Sequence, residues 1–266
     1  MSPQFNQYDK QMLPNQRREE IYKLIKEDGQ ASVQSLCKLF DVTEVTIRQD
    51  LTILENRGLI KRGYGGAYLQ DIDIFAKNLS LSNQRNMKIK QAIAKESAKH
   101  VQKGDMLILD SGSTVTELAK LLVDTSDLTV ITNALNIALI LGVNPSINLM
   151  VTGGEFKAPT LSLTGQKAAD FFEKIHVDKL FLATAGISVK TGLTYPGISD
   201  ICVKQAMINS ANVTYLLADS SKLGQNSFIS LGNISLIDIL ITDSDIDQED
   251  EENLLQHNIT VIKAPI

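Results

Sequence analysis

In the N-terminal part of the chain, apolar residues recur at helical spacing in three short runs. Ile21, Leu24 and Ile25 line one face of a run from Gln16 to Asp28, and Gly29 stands where a glycine would cap its C-terminus. Leu36, Leu39 and Phe40 then share a face, the pattern breaks at Asp41-Val42, and Ile47, Leu51 and Leu54 resume it. Ser32 and Thr43 sit where a hydroxyl would cap the second and third helices, and Gly58 ends the third. Two short helices meeting at a tight turn form a helix-turn-helix pattern. With its apolar face turned inward, the second of the pair leaves Thr43, Glu44, Thr46, Arg48 and Gln49 outward near its N-terminus, where a recognition helix meets base edges and phosphates.

The run Leu59 to Leu69 places Gly63, Gly65 and Gly66 between two short strand-like stretches, the pattern of a hairpin. Lys61 and Arg62 on its first strand and Tyr64 at its tip give it the character of a wing lying along a DNA backbone. Residues 1–15 are polar, contain Pro3 and Pro14 and show no period, so they read as a disordered leader before a DNA-binding domain over 16–70. Residues 71–87 hold few large apolar residues and read as a linker. From Lys88 the pattern changes. Ile89, Ile93 and Val101, with small alanines between them, predict an amphipathic helix. Strand-like runs follow at 106–109, 128–131, 148–151, 180–183, 213–217 and 237–241, several of them separated by helical stretches. That alternation predicts a second domain over 88–266, an α/β domain with a mainly parallel sheet covered on both faces.

Length and composition support two domains. The chain has 266 residues, 43% of them hydrophobic, against about 150 residues for an ordinary domain. The densest apolar window, Ala134 to Val143, is broken by Asn136 and is too short to span a membrane, and the N-terminus lacks the order of a signal peptide, so a cytoplasmic protein with no membrane partner is expected. Cys37 and Cys202 fit a reducing compartment, and His100, His176 and His257 are too scattered to form a metal site, so neither metal nor cofactor is expected. The formal net charge of -5 divides unevenly. Residues 1–70 hold 10 Lys+Arg against 9 Asp+Glu, while the remainder holds 16 against 22. Within the first part, Arg48, Arg57, Lys61 and Arg62 gather at and just beyond the recognition helix, and such local clustering governs phosphate contact.

The unusual residues of the second domain fall at strand ends, where parallel sheets bind ligands. Asp110-Ser111-Gly112-Ser113-Thr114 follows the first strand and leads into a helix, turning free N–H groups and three hydroxyls toward one anion-sized space. Thr132-Asn133, Gly153-Gly154, Ala185-Gly186 and Asp219-Ser220-Ser221-Lys222 follow later strands, and the last adds a cation.

Thr46 to Leu51, Leu54-Glu55, Gly58, Arg62 and Gly65-Gly66-Ala67 closely resemble the N-terminal signature of the DeoR family of bacterial transcription regulators. Gln49 and Tyr64 stand where that family usually has arginine and histidine. Residues 110–114, Thr132-Asn133, Gly153-Gly154, Gly165, Gly192-Leu193-Thr194, Val203-Lys204 and 219–222 match the family's C-terminal pattern, with Cys202 replacing a frequent acidic residue and Asp200 retained nearby. The resemblance implies a winged helix-turn-helix followed by a sensor similar to the ribose-phosphate isomerase and CoA-transferase group of folds. It also implies a regulator, more often a repressor of a carbohydrate-use operon. Such a protein binds double-stranded operator DNA as a dimer or tetramer and responds to a phosphorylated sugar or sugar alcohol. With no arginine or histidine at the strand ends, a phosphate would be held by backbone N–H groups, by Ser111, Ser113 and Thr114, and by Lys222 or Lys204, leaving Asp110 for sugar hydroxyls. A sugar-phosphate isomerase using Asp110, Asp219 or Lys222 for proton transfer is the alternative, but it gives the helix-turn-helix no role.

Overall fold

A computed structural model describes residues 12–28, 30–63, 65–69 and 86–265. The chain divides into two compact units between residues 78 and 79.

The first unit comprises α1 (Pro14–Asp28), β1 (Gln30–Ser32), α2 (Val33–Phe40), α3 (Glu44–Asn56), β2 (Ile60–Gly63) and β3 (Gly66–Leu69). Helix α1 starts at Pro14, ahead of the expected Gln16, because proline at a first helical position is already set at helical φ and lacks only an N–H that would go unbonded there. The cap expected at Gly29 lies outside the described residues. Ser32 caps α2, its hydroxyl accepting the Ser35 N–H at 3.0 Å, and Thr43 caps α3 through the Thr46 N–H at 3.4 Å. A cap of this kind contributes about 1 kcal/mol. Gly58, at φ +71°, ends α3. Ile21, Leu24, Ile25, Val33, Leu36, Phe40, Ile47, Leu51 and Leu54 are buried together. Strands β2 and β3 form the wing, and β1, which no periodicity announced, pairs antiparallel with β3 through Gln30↔Tyr68 and Ser32↔Gly66. Gly66 is required there, since a Cβ would lie 2.3 Å from the Ala31 carbonyl oxygen.

The second unit is built on a seven-stranded sheet: β4 (Met106–Leu109), β5 (Leu128–Thr132), β6 (Ile147–Val151), β9 (Val177–Ala183), β12 (Ala211–Leu217), β14 (Ile239–Asp243) and β15 (Thr260–Ala264). Their order is β15-β14-β12-β9-β4-β5-β6, and every pairing is parallel. Helices α4 (Met87–Ala98), α5 (Ser113–Leu122), α6 (Leu135–Leu141), α7 (Gln166–Asp170), α8 (Ser199–Asn209) and α9 (Gln248–Gln256) accompany it. Alternate strand residues enter different cores. Ile108, Leu180, Leu182, Leu216 and Leu240 pack with Val203 and Met207 of α8, whereas Leu107, Leu109, Phe181, Leu217 and Ile241 pack with Ile93 of α4 and Val115 and Leu118 of α5. Burial on both faces is why these strands read as unbroken apolar runs.

Strand β15 escaped that reading because Thr260 and Lys263 interrupt it at the sheet edge, where they are exposed. The hairpin of β7 (Glu155–Lys157) and β8 (Ser162–Thr164) and the antiparallel sheet of β10 (Gly186–Ser188), β11 (Gly192–Tyr195) and β13 (Ile229–Gly232) were likewise unannounced, their strands being only three or four residues long. Because all seven principal strands run parallel, their carboxyl ends share one edge.

Candidate nucleic-acid interface and effector site

On α3 the outward residues are those the helical spacing indicated. Thr43, Glu44, Arg48 and Gln49 are exposed, Thr46 is half-buried, and Ile47, Asp50, Leu51 and Leu54 face inward. Arg48 donates to Glu44 at 3.1 Å across one helical turn, an exposed pair that balances part of its charge. Val45, 65% exposed, was not among the residues singled out by sequence. An aliphatic group at the N-terminus of a recognition helix suits the methyl of thymine, and its departure from the polar pattern of its neighbours was the available signal.

The wing is tied to the same helix. Arg62 Nη1 donates to Thr52 Oγ1 at 2.7 Å, and the Arg62 N–H donates to Glu55 at 2.9 Å. Lys61, Arg62 and Arg57 are exposed, giving a basic margin beside α3. Tyr64 lies outside the described residues.

At the sheet edge, the loop after β4 is bound into a buried network. Asp110 is fully buried, and its Oδ2 accepts from Lys204 Nζ of α8 at 2.5 Å and from the Ala183 N–H at 3.0 Å. Burial pushes the Asp110 carboxyl above its ordinary range, against the pull of the Lys204 ammonium. Lys204 also lies 4.7 Å from the centre of the Tyr195 ring, whose hydroxyl donates to the Ala183 carbonyl at 2.8 Å. Burial, with the Asp110 charge adding to it, raises the Tyr195 phenol well above its usual value. Asp110 and Lys204, expected to meet sugar hydroxyls and phosphate separately, thus neutralise each other.

Ser111 is buried, and its N–H donates to Asn133 Oδ1 at 3.2 Å. Gly112 allows the loop to pass Ala183, since a Cβ would lie 2.5 Å from the Ala183 Cβ. Ser113, half-buried, and Thr114, buried, open α5 behind Gly112, which has no side chain to cap the first turn, and among the described residues those N–H groups have no side-chain acceptor. Thr132 donates to the Leu109 carbonyl at 2.7 Å and accepts from the Ala134 N–H at 3.0 Å, while Asn133 Nδ2 donates to the Leu163 carbonyl at 3.1 Å. These two residues knit strand ends together within the protein.

Gly153 is exposed, and Gly154 adopts φ +128° against the Thr164 carbonyl. Gly186 is buried where a Cβ would lie 2.4 Å from the Gln225 carbonyl, which gives it a packing role. Asp219 accepts from Ser221 and from Asn86 Nδ2, the latter at 3.3 Å, and the Ser220 N–H donates to Asp243 at 2.7 Å. Lys222 is half-buried and forms no ion pair among the described residues. It is a cation left available at this edge, two strands from Asp110 in the sheet order.

Sequence reasoning did not find Lys157. It is buried in the β7–β8 hairpin and donates to Asp200 of α8 at 2.6 Å. Asp200 and Lys204 are four residues apart on α8, so this helix carries one partner of each of these two buried ion pairs. No spacing connects Lys157 with Asp200, which stand 43 positions apart.

Residues 17–72 match the DeoR-like helix-turn-helix domain, and residues 85–244 match the DeoR C terminal sensor domain. The chain belongs to the DeoR family of transcriptional regulators. It is 32% identical to the HTH-type transcriptional regulator GlpR of Haloferax volcanii over 94% of this chain and 98% of that one. It is 36% identical to the regulator GolR of Listeria innocua over 89% and 93%. With the glycerol-3-phosphate regulon repressor of Escherichia coli it shares 30% identity over 88% and 92%. Ribose 5-phosphate isomerase A of Methanocaldococcus jannaschii overlaps 52% of this chain and 55% of its own at 20% identity with a TM-score of 0.39, a likeness too slight to carry an argument. This DeoR-family chain is a DNA-binding regulator rather than an isomerase. Among the described residues no helix is long and apolar enough to cross a membrane, and no group of three or more His, Cys, Asp or Glu could hold a metal ion.

Proposed function

We propose that this regulator represses a carbohydrate-use operon and is released or modulated by a phosphorylated sugar or sugar alcohol bound at the carboxyl edge of the sensor sheet. One observation carries the reading: the first turn of α5, opened by Gly112 with no side chain to cap it, the hydroxyls of Ser113 and Thr114, and Lys222, which has no ion pair among the described residues, lie along the edge where parallel strands end. Two relatives are named as the glycerol-3-phosphate regulon repressor and the putative aga operon transcriptional repressor, which favours a phosphorylated effector and negative control.

In this reading Arg48, Gln49, Thr46, Thr43 and Glu44 meet base edges and phosphates, and Arg57, Lys61, Arg62 and Tyr64 hold the backbone. Effector contacts fall to Ser111, Gly112, Ser113, Thr114, Gly153, Gly154, Ser220 and Lys222. Thr132, Asn133, Gly186 and Asp219 shape the edge, and Asp110 with Lys204 forms its buried floor. The protein acts in the cytoplasm as a dimer or tetramer, with residues 16–70 binding DNA and residues 88–266 sensing the effector across a linker at 71–87.

A thermal-shift screen of phosphorylated sugars and sugar alcohols against the full chain tests this, because a ligand of the folded state raises its apparent stability. A phosphorylated compound that stabilises the protein where its unphosphorylated parent does not supports the reading. Equal responses to both, or to neither across the panel, oppose it.

A further inference from the structure

Asp50 interrupts the apolar face of α3. It lies between Ile47 and Leu54 with its side chain 2% exposed, and residues of α1 take both of its oxygens. Arg17 Nε donates to Oδ2 at 2.6 Å, and Arg18 Nε donates to Oδ1 at 2.8 Å. Arg18 is held in turn by Asn15, whose Oδ1 accepts from Nη1 at 2.9 Å. Neighbouring helical residues point about 100° apart, so two long side chains converge on one carboxylate from different directions.

Stability alone accounts poorly for this arrangement. Desolvation offsets most of the attraction in a buried ion pair, and an apolar residue of similar size often serves the fold as well. A second arginine brings another charge out of water without another carboxylate. What the arrangement supplies is direction. The apolar contacts that hold this unit together are non-directional, whereas a carboxylate gripped at both oxygens sets the angle at which the helix faces its neighbour. Arg48 stands two residues from Asp50, on the opposite side of a helix with about 3.6 residues per turn, so any rotation of Asp50 carries Arg48 and Gln49 with it. Asp50 also balances part of the positive charge of Arg17 and Arg18 in a segment with 10 basic and 9 acidic residues.

We propose that the Arg17–Asp50–Arg18 clasp sets operator specificity: it fixes the rotation of the recognition helix and restrains the sequence-independent attraction of this unit for phosphates. Arg17, Asp50 and Arg18 are positioning residues that act through Arg48 and its neighbours.

Two variants of the full chain test the clasp by fluorescence anisotropy over a salt series. One probe is a duplex enriched by the wild-type protein from random-sequence DNA, and the other is the same duplex with its sequence shuffled. Asp50→Asn keeps the side-chain size and removes one negative charge. It is expected to bind the selected duplex more weakly and the shuffled one more tightly, with the ratio of the two affinities falling roughly tenfold to a hundredfold, the size of a mismatched base pair. Arg18→Met removes a cation and half of the grip. It is expected to bind both duplexes more weakly, and the selected one by more, so that the ratio falls about tenfold.

Nonspecific affinity moving in opposite directions while specificity falls in both variants is a signature that lost folding would not produce. Circular dichroism at the assay temperature identifies any variant that is not folded, and if Asp50→Asn is one, Arg18→Met decides alone. An unchanged ratio in the folded variants overturns the proposal. So does a parallel loss on both duplexes by folded Asp50→Asn.

Discussion

Replacing Lys204 with methionine strands the Asp110 carboxylate at a position with no solvent contact. In the intact protein that carboxylate accepts from Lys204 at 2.5 Å, from the Ala183 N–H at 3.0 Å and, at a long 3.5 Å, from the Ser111 hydroxyl, and the variant loses the first, which is the one charged donor. Removing one partner of a buried pair costs about 3–5 kcal/mol, because the remaining charge keeps its desolvation penalty and loses its compensation. Asp110→Asn is milder. The amide oxygen it introduces still accepts the Ala183 N–H, and Lys204 still lies 4.7 Å from the Tyr195 ring, so a loss of about 1–3 kcal/mol is expected. The double variant contains neither charge and costs less than the sum of the singles by about 2–3 kcal/mol. Urea unfolding of the full chain followed by far-ultraviolet circular dichroism measures all four proteins, the chain having no tryptophan to report by fluorescence. Additive single and double effects, or a loss below about 1 kcal/mol for Lys204→Met, would refute the buried pair as the floor of the sheet edge.

Arg48→Ala is expected to weaken operator binding by about 1–3 kcal/mol per half-site while leaving effector binding intact, as measured by mobility shift at matched salt. Lys222→Ala should weaken a phosphorylated effector roughly tenfold to a hundredfold and its unphosphorylated parent hardly at all, which calorimetry on the full chain would detect. Gly112→Ala drives a methyl group into the Ala183 Cβ at 2.5 Å and should destabilise the sensor by about 1–3 kcal/mol, read from its unfolding midpoint.

The helix-turn-helix was legible because its evidence is local. Cap, apolar face and stop signal each lie within a few residues of one another, and the structure places Ser32, Thr43, Ile47, Leu51, Leu54 and Gly58 accordingly. Six strands of the parallel sheet were legible for the same reason, being short apolar runs, five of them buried on both faces and β6, at the sheet edge, largely exposed or half-buried. The buried ion pairs were not. Asp110 and Lys204 are 94 positions apart, and only the folded sheet brings α8 beneath the loop after β4. Reading the strand ends as a set of free polar groups therefore overestimated what is available. Thr132 and Asn133 bond to neighbouring strands and loops, and Gly186 is committed to packing. Asp50 is an intermediate case: a charge on the apolar face of a helix is visible in sequence, but the two arginines that explain it are not.

In the proposed function a phosphorylated ligand of the sensor controls DNA occupancy. That control is tested most directly by following a complex of the full chain with its selected duplex by anisotropy, while phosphorylated sugars and sugar alcohols and their unphosphorylated parents are titrated in at constant ionic strength. One phosphorylated compound is expected to lower the affinity for DNA while its parent does not, with Lys222→Ala blunting the response. Release by the parent and the phosphate alike, or no change with any phosphorylated compound, would contradict it.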